Sequence, residues 1–412
     1  MIVLGIESSC DETAAAVVRD GNELLSNVVY SSMDLHAAFG GVVPEIAARS
    51  HVESIIPVID QAVKDAFTSR KSKVTESKVS EPSTFNLQPS TSDPWDQIDA
   101  IAVTFGAGLG GSLLVGVMTA RTLAITKNKP LYAINHVEGH VYANFLTKTA
   151  GSKVTELKVK SLESRSSGSS TFNLKPSTCL SGLGDQTYQL PTNQPEFPIL
   201  ALIVSGGHSQ LVLFRDHFDY TLLGQTRDDA IGEAFDKVAK ITGLPYPGGP
   251  SIAEAAKSGD PYKYKLPKSK LDKPYEFSFS GVKTAVLRLA QEIIGEDYRF
   301  PSFQLAERLS DTQKHDIAAS FQRVAIETVV DKTLLAYEEF QPKSVVIAGG
   351  VAANLELRRQ LSDRIPIEVK YTDPKLCTDN GAMIATLGCF KAMLDAEPVD
   401  PYSLQIEPNL SM

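Results

Sequence analysis

The residues most suited to chemistry are two histidines in the segment HVEGH at 136–140. His136 and His140 are four residues apart, and on a helix this spacing places both imidazoles on one face, where they can share a metal ion. Glu138 falls on another face, so the segment is not the HExxH arrangement of a zinc protease. Because the chain has seven histidines, two histidines at this spacing by chance are the alternative to a metal site.

A third metal ligand has to come from elsewhere, since a catalytic or binding metal needs further protein ligands and an open position. Asp379, in CTDNGAM at 377–383, is the candidate. It stands at the predicted start of a helix, where free N–H groups favour a carboxylate. The alternative is a simple helix N-cap. Two histidines and one carboxylate suit Fe, Zn or Mn, and the sequence does not choose among these metals.

Other polar pairs compete less well. Glu233 and Asp236 share a predicted helix face and could hold Mg or ribose hydroxyls, although a solvated face explains them equally well. Ser280 and Lys283, in FSFSGVKT, could be a nucleophile and its activator, although a strand followed by a helix cap is more common. Cys10 has no histidine near it in sequence, so a reactive thiolate is not indicated. The chain contains no GxxxxGK[ST] phosphate loop.

Two strand–polar turn–strand units would position such groups. They are IVLGIESSCDETAAAVV at 2–18 and PILALIVSGGHSQLVLF at 198–214. Each has small hydroxyl residues or glycines at the hairpin tip, where exposed backbone N–H groups can bind phosphate oxygens. Together with GGVAAN at 349–354, two such tips facing each other predict a nucleotide cleft. Two plain hairpins with suitable turn residues are the alternative.

The remaining pattern alternates strands and helices. A Gly-rich turn at 106–112 should lead from a strand into a helix that runs through residue 121, and PYPGGP at 245–250 reads only as a loop. The other predicted elements are a helix at 51–66, strands at 98–104 and 343–347, a helix beginning at 355 and a C-terminal helix at 380–393.

Composition limits the function classes. The chain has 412 residues, 42% apolar and 22% charged, which indicates a globular protein of two or three units. Its net charge of −9 has the wrong sign for coating nucleic acid, so RNA binding would need a local basic patch or a partner. The cysteines form no CxxC pair, which fits a reducing compartment. No signal peptide or membrane span is evident, so a cytoplasmic protein is expected.

Two polar segments, 70–92 and 151–195, differ from the rest and resemble each other. SKVTE occurs at 72–76 and 152–156, and STFNLQPST at 83–91 returns as STFNLKPST at 170–178. With only two copies at junctions, we interpret them as a duplicated insertion in surface loops without chemistry. The alternative is a small hairpin around Phe-Asn-Leu in one copy. Each segment carries a formal charge of +2, so both could help to hold RNA.

Ten motifs, taken together and in order, resemble the TsaD family of tRNA N6-adenosine threonylcarbamoyltransferases. They are GIESSCDET, FGGVVPEIAAR, TFGAGLGGSLLVG, HVEGH, VSGGHSQL, GEAFDK, YPGGP, FSFSGVKT, AGGVAAN and CTDNGAM. The resemblance implies an α/β fold of two actin-like (ASKHA, ribonuclease H-like) domains with a nucleotide cleft between them. Residues 1–135 with 380–412 would form the N-terminal domain. Residues 136–379 would form the C-terminal domain with the metal and donor sites.

The same resemblance implies an activity. The enzyme would transfer the threonylcarbamoyl group from threonylcarbamoyl-AMP to N6 of adenosine 37 in tRNAs that read codons beginning with A, and would release AMP. Because the mixed anhydride is already activated, orientation and charge stabilisation would carry the reaction without a covalent nucleophile.

Residue roles follow from the motifs. By resemblance one divalent metal, Fe²⁺ with Zn or Mn as alternatives, would be held by His136, His140 and Asp379. Backbone N–H groups of residues 204–207 would meet the phosphate, and Asp236 and Asn354 would fix the nucleoside. The residues implied to line the donor site are Ile203, Val204, Ser205, Gly206, Gly207, Asp236, Gly249 and Asn354.

By resemblance to bacterial relatives, the implied partners are tRNA, an inactive paralogue (TsaB) and a small ATPase (TsaE). Resemblance to mitochondrial relatives implies a homodimer as another arrangement. Ala107 stands where the family usually has proline, and Asn135 where it often has histidine. Both lie beside the motifs rather than on ligands, so activity is expected to be retained. The rival functions are a kinase or ATPase on the same fold, a metalloprotease (an older label of the family) and a non-catalytic scaffold.

Overall fold

The computed structural model describes residues 1–37, 39–67, 93–149, 154–157 and 188–412. The strands are β1 (Ile2–Glu7), β2 (Glu12–Arg19), β3 (Glu23–Ser31), β4 (Ala100–Gly106), β5 (Leu131–Asn135), β6 (Lys148–Thr149), β7 (Val154–Leu157), β8 (Ile199–Val204), β9 (Ser209–Asp216), β10 (Asp219–Gln225), β11 (Ser344–Ala348) and β12 (Val369–Lys370). The α-helices are α1 (Met33–Ala37), α2 (Pro44–Phe67), α3 (Gly110–Lys127), α4 (His136–Tyr142), α5 (Ile231–Thr242), α6 (Gly248–Ala256), α7 (Ser280–Ile293), α8 (Leu305–Arg308), α9 (Asp311–Phe340), α10 (Leu355–Arg364), α11 (Pro374–Cys377) and α12 (Gly381–Met393).

The two sheets share one topology. In the first, β1, β2 and β3 form an antiparallel meander, and β4 and β5 extend the other side of β1 in parallel, giving the order β5-β4-β1-β2-β3 with β6 and β7 beside β3. In the second, β8, β9 and β10 form the meander, and β11 and β12 are the parallel strands. This repeated order is the one used by actin-like domains, and it confirms the predicted α/β fold class.

A middle layer joins the sheets. β8 is buried along its whole length, and its alternate residues point into different cores because side chains in a strand alternate between faces. Leu200, Leu202 and Val204 pack with α5, α7 and α9 in one core. Ile199, Ala201 and Ile203 face a second core that also contains residues of β1, α4 and α12. The helices α4 and α12 therefore lie between the two sheets.

One loop prediction is wrong. The segment 245–250 ends inside a helix, because α6 begins at Gly248. Pro250 is the third residue of α6, and a proline is tolerated in the first turn since the N–H groups there have no partner within the helix. Two helices are also longer than predicted: α2 begins at Pro44 and α3 continues to Lys127.

The polar segments are described only in part. Residues 70–92 and the Phe-Asn-Leu copies lie outside the described residues, so the loop and hairpin interpretations there stay predictions. In the second segment, β7 pairs in parallel with β3, and the buried Tyr188 accepts a hydrogen bond from Asn27 Nδ2 at 3.3 Å. The described part of 151–195 is therefore not a plain surface loop.

Within the described residues, no helix combines the length and the apolar character that a membrane crossing requires. The division of the chain at residue 135 stays a prediction. Residues 148–157 would fall in the C-terminal domain under that division, yet β6 and β7 pair with β3 of the first sheet.

Candidate metal centre and nucleotide cleft

The two hairpin tips line one cleft of about 780 Å³. The cleft lies at the carboxyl ends of β1, β4, β8 and β11, which is the usual ligand position in open α/β sheets. The lining residues on the side of the first sheet include Ser9, Cys10, Asp11, Glu12 and Gly108, and on the side of the second sheet they include Ser205, Gly206, Gly207, His208, Asp236, Tyr246 and Gly350. His136 and Asp379 reach the cleft from the middle layer.

The predicted metal ligands come together. His136 is the first residue of α4 and His140 lies one turn later, so both rings are on one face of the helix. One ligand atom of each of His136, His140 and Asp379 lies within 4.8 Å of the others. Asp379 Oδ1 is 3.5 Å from His136 Nε2 and 3.4 Å from His140 Nε2. The spacing of His136 and His140 predicted that the two rings share a helix face. The tertiary fold brings the carboxylate of Asp379 next to them.

Asp379 is not the N-cap of α12. The N-cap is Asn380, whose side chain accepts a hydrogen bond from the backbone N–H of Met383 at 3.1 Å. The N-cap interpretation of Asp379 is therefore wrong, and its carboxylate is directed instead at the two imidazoles.

A buried carboxylate behind His136 was missed by sequence reasoning. Glu7, at the end of β1, is fully buried, and its Oε2 accepts hydrogen bonds from His136 Nδ1 at 3.1 Å and from Thr104 Oγ1 at 2.5 Å. This contact orients the ring of His136 so that Nε2 is the nitrogen facing Asp379. The available signal was a single glutamate at the end of an otherwise apolar strand.

The electrostatics of this cluster favour a positive charge. Burial lowers the pKa of His136, but the carboxylates of Asp379 and Glu7 outweigh it and raise the pKa to about 9. Burial raises the pKa of Glu7 and of Asp379, yet the neighbouring histidines hold both values below the ordinary range.

These residues fit a divalent cation. Neither ring nitrogen of the buried His140 makes a hydrogen bond among the described residues, which leaves its lone pair available as a metal ligand. Two neutral imidazoles and one carboxylate are a donor set that Fe, Zn and Mn accept. A metal would replace the proton that the two carboxylates otherwise hold on His136.

The second hairpin tip is a tight turn with free amides. The Ser205 N–H donates to the His208 carbonyl at 2.8 Å, and the His208 N–H donates to Ser205 Oγ at 3.1 Å. Gly206 and Gly207 are exposed, and their N–H groups make no hydrogen bond among the described residues. The Ser205 N–H is thus already used within the turn, whereas the amides of the two glycines are available, and phosphate binding by residues 204–207 stays a prediction.

The comparisons with known proteins identify the family. The TsaD model, described as tRNA N6-adenosine threonylcarbamoyltransferase, matches residues 23–74, 91–154 and 181–386. A protein of that name from Thermomicrobium roseum is 44% identical over 93% of this chain and 90% of its own length. Another protein of that name, from Caldicellulosiruptor saccharolyticus, is 41% identical over 100% of this chain and 98% of its own length. The chain belongs to the TsaD family.

Among solved structures, the ROK hexokinase from Thermus thermophilus matches this chain with a TM-score of 0.40 and 16% sequence identity. The match covers 96% of this chain and 100% of the hexokinase chain.

The other donor-site residues expected from the TsaD motifs differ in whether they line the cleft. Asp236 lines the cleft, and its Oδ1 accepts from the Gly248 N–H at 2.6 Å. Gly249 follows in the first turn of α6, with open space where a Cβ would be. Asn354 caps α10, accepting from the backbone of Glu356 and Leu357, and its Nδ2 donates to Gln322. Ile203 and Val204 are fully buried, so only their backbone can approach the cleft.

The competing Ser280–Lys283 pair of the TsaD sequence is used structurally. Ser280 Oγ donates to Asp228 at 2.6 Å, and Lys283 forms an ion pair with Asp229 at 2.7 Å. They are not paired as nucleophile and activator in these contacts. Burial, followed by the charge of Asp11, raises the pKa of Cys10, which disfavours the reactive thiolate form.

His208 is a second residue that sequence reasoning did not single out. Its ring lies 6.3 Å from that of His136. Burial and the charges of His136 and His140 lower its pKa to about 4. Its position in VSGGHS was visible in sequence, but its approach to the metal ligands depends on how the second sheet faces the first.

Proposed function

We propose that this chain transfers a threonylcarbamoyl group from threonylcarbamoyl-AMP to N6 of adenosine 37 in tRNAs that read codons beginning with A, and releases AMP. The observation that carries the proposal is the joint presence, at one cleft, of the His136–His140–Asp379 cluster and the free amides of Gly206 and Gly207. Family membership supports the same activity.

His136, His140 and Asp379 would hold one divalent metal, and we propose Fe²⁺, with Zn or Mn as the alternatives that the donor set also accepts. When bound, the metal supplies a Lewis acid and a template for donor oxygens. Glu7 keeps His136 in the tautomer that directs Nε2 toward the site.

The chain's own groups would bind and orient the donor. The amides of Gly206 and Gly207 would donate to the phosphate and keep donating as its charge grows when AMP leaves. Asp236, already anchored on the Gly248 N–H, would hold a nucleoside hydroxyl. In the reaction the N6 lone pair forms a bond to the carbamoyl carbon, and the bond from that carbon to the phosphate oxygen breaks with its electrons on AMP. The proton that N6 loses passes to solvent water.

The proposal extends to partners and place. A TsaB-like paralogue and a TsaE-like ATPase would assist the chain in a bacterial cytoplasm, with a homodimer as the alternative assembly. The acidic balance of the chain, with a net charge of −9, favours help in holding tRNA.

The direct test incubates the purified chain, alone and with the two partners, with threonylcarbamoyl-AMP and unmodified tRNA, and then analyses the nucleosides by mass spectrometry. We expect the modified adenosine only when donor and tRNA are both present. A tRNA with guanosine at position 37 is the matched control. Absence of product under every partner condition would contradict the proposal.

The same preparation separates the rival functions. A kinase or ATPase would consume ATP without tRNA, and a metalloprotease would cleave a protein substrate. A scaffold would leave donor and tRNA unchanged.

A further inference from the structure

A strongly basic surface segment lies outside the cleft. Residues 257–273, here called the basic loop, contain six lysines and two aspartates, a formal charge of +4 in a chain whose total is −9. The loop connects α6 to the strand-like residues before α7 and has no regular helix or strand. Nothing in the metal centre or the donor site uses it.

Half of these lysines have no acidic partner within the described part of the chain. Lys263, Lys265 and Lys270 are exposed, and no acidic side chain of the described residues is within ion-pair distance of them. The lysines that do form ion pairs, with Glu254, with Glu327 and Asp331, and with Glu276 respectively, are Lys257, Lys268 and Lys273. Uncompensated lysines on one loop produce a local positive field on an acidic protein.

The backbone of the loop is fixed on helix α9. The Asp260 N–H donates to Asp316 Oδ1 at 2.8 Å, and the Tyr264 N–H donates to Ser320 Oγ at 3.2 Å. Arg323 Nε donates to the Pro261 carbonyl at 2.7 Å. The lysines are therefore presented from an ordered support, which lowers the entropy cost of binding a ligand to them.

The lining of the cleft has a negative balance of formal charge. Five acidic residues line it, namely Asp11, Glu12, Glu233, Asp236 and Asp379, against two lysines, Lys237 and Lys240. A polynucleotide whose base enters this cleft would therefore be held better by additional positive charge outside it. The basic loop is close enough, because it follows α6 directly and Gly248 at the other end of α6 contacts Asp236. Nine helical residues span about 13 Å.

We propose that the basic loop, through Lys263, Lys265 and Lys270, binds the phosphate backbone of the tRNA beyond the loop that carries the reacting adenosine. The inference rests on the proposed function for the identity of the RNA. An acidic protein partner on the same lysines is the competing occupant.

The test compares two triple variants of equal charge in the full chain. The first is Lys263→Ala, Lys265→Ala and Lys270→Ala. The control is Lys129→Ala, Lys148→Ala and Lys343→Ala. Lys129 and Lys343 lie just before β5 and β11, Lys148 is the first residue of β6, and none of the three lines the cleft. The dissociation constant for unmodified tRNA is measured for each over a series of salt concentrations, with thermal melting as the check on folding.

We expect the basic-loop variant to bind tRNA about tenfold or more weakly near 0.1 M salt and to lower the slope of log Kd against log salt by roughly 2–3, since each lost phosphate contact removes about one unit or somewhat less. KM for tRNA should rise by the same factor, while kcat at saturating tRNA and KM for the donor stay unchanged. The control variant should match the wild type.

Equal losses in the two variants would assign the effect to bulk charge and overturn the proposal. Unchanged tRNA binding with loss of an acidic partner protein would also overturn it. If the wild type makes no modified nucleoside, the proposed function fails, and the binding comparison still reports separately whether the loop holds tRNA.

Discussion

The two hairpin tips occupy equivalent places in sheets of the same topology, yet they are held in opposite ways. The first tip is closed by side chains: Glu7 Oε1 accepts from the Ser9 N–H at 2.5 Å, and the Cys10 carbonyl accepts from His51 Nε2 at 2.9 Å and from Ser112 Oγ at 3.1 Å. The second tip is a glycine turn: Gly206 and Gly207 line the cleft, and their N–H groups make no hydrogen bond within the part of the chain that the structure describes.

The comparison shows that sheet topology determines where each tip lies, whereas the residues at the tip determine what it can bind. At the first tip an internal carboxylate supports a histidine, which suits a metal centre. At the second tip bare amides are left for a ligand, which suits a phosphate. Four sets of substitutions or conditions test this difference between the two tips, given in decreasing order of expected effect.

Replacing His140 should have the largest effect. His140→Ala removes a metal ligand whose ring makes no hydrogen bond among the described residues, so we expect loss of bound metal, measured by elemental analysis, and loss of transfer. His136→Ala should also abolish transfer, but it leaves the buried Glu7 without its cation and therefore tests folding as well. His315→Ala, on α9, is the matched control and should keep metal and activity. Metal-free H140A with wild-type turnover would contradict the metal assignment.

Replacing Glu7 tests whether the first tip serves the metal. Glu7→Gln keeps the shape of the side chain but removes the charge that accepts from His136. We expect metal affinity to fall by about 10–100-fold, as is typical for such supporting carboxylates, with KM for the donor unchanged once metal is saturating. The measurement is a metal titration followed by kinetics at high metal. A rise in donor KM at saturating metal would show that the two tips are not separate in function.

Adding a methyl group tests whether the second tip is open. A Cβ at Gly207 meets no atom within 4 Å, so Gly207→Ala should fold normally. The methyl group would obstruct a phosphate at the amide, and loss of about one hydrogen bond predicts a KM for the donor raised about fivefold.

Gly349→Ala provides the contrast for that variant. Gly349 has φ +88°, and its Cβ would lie 2.4 Å from the Val204 carbonyl oxygen, so a loss of about 1–3 kcal/mol in the free energy of unfolding is expected. If G207A lowers the melting temperature as much as G349A does, the tip is not open.

Acid should weaken the first tip through His51. Burial lowers the pKa of His51, and its nitrogens pair with Thr13 Oγ1 and the Cys10 carbonyl. In the unfolded chain His51 takes up a proton near pH 6.5, and in the folded chain it does so only at lower pH. The contribution of neutral His51 to the free energy of unfolding is therefore full above about pH 6.5, and it is lost as the pH falls toward the pKa of His51 in the folded chain.

The expected slope from this one group is at most about 1.4 kcal/mol per pH unit. His51→Gln should flatten the fall in the free energy of unfolding between about pH 6.5 and 5, measured by urea denaturation. An equally steep fall in H51Q would assign the acid sensitivity to other groups.

Much of the fold was predictable because its signals are local. The apolar runs that became β1, β2, β8 and β9 end at polar turns, and the i,i+4 spacing of His136 and His140 places them on one helical face. The limits of elements were less predictable: α6 starts inside PYPGGP because unpaired first-turn amides tolerate Pro250. Local sequence could not tell which of Asp379 and Asn380 caps helix α12, because both are polar residues of a type that caps helices and they are adjacent at its predicted start.

The sequence by itself determined the ligand types, the two hairpins with their glycine or hydroxyl tips, and the family. The tertiary structure decided which of these groups meet. Asp379 reaches the histidines, and Glu7 reaches His136 from a position 129 residues away in the chain, because α4 and α12 pack between the two sheets. It also decided which amides are free, since Ser205 uses its N–H within the turn. These contacts join residues that are far apart in the chain and depend on how the layers pack, so the local sequence around each residue does not predict them.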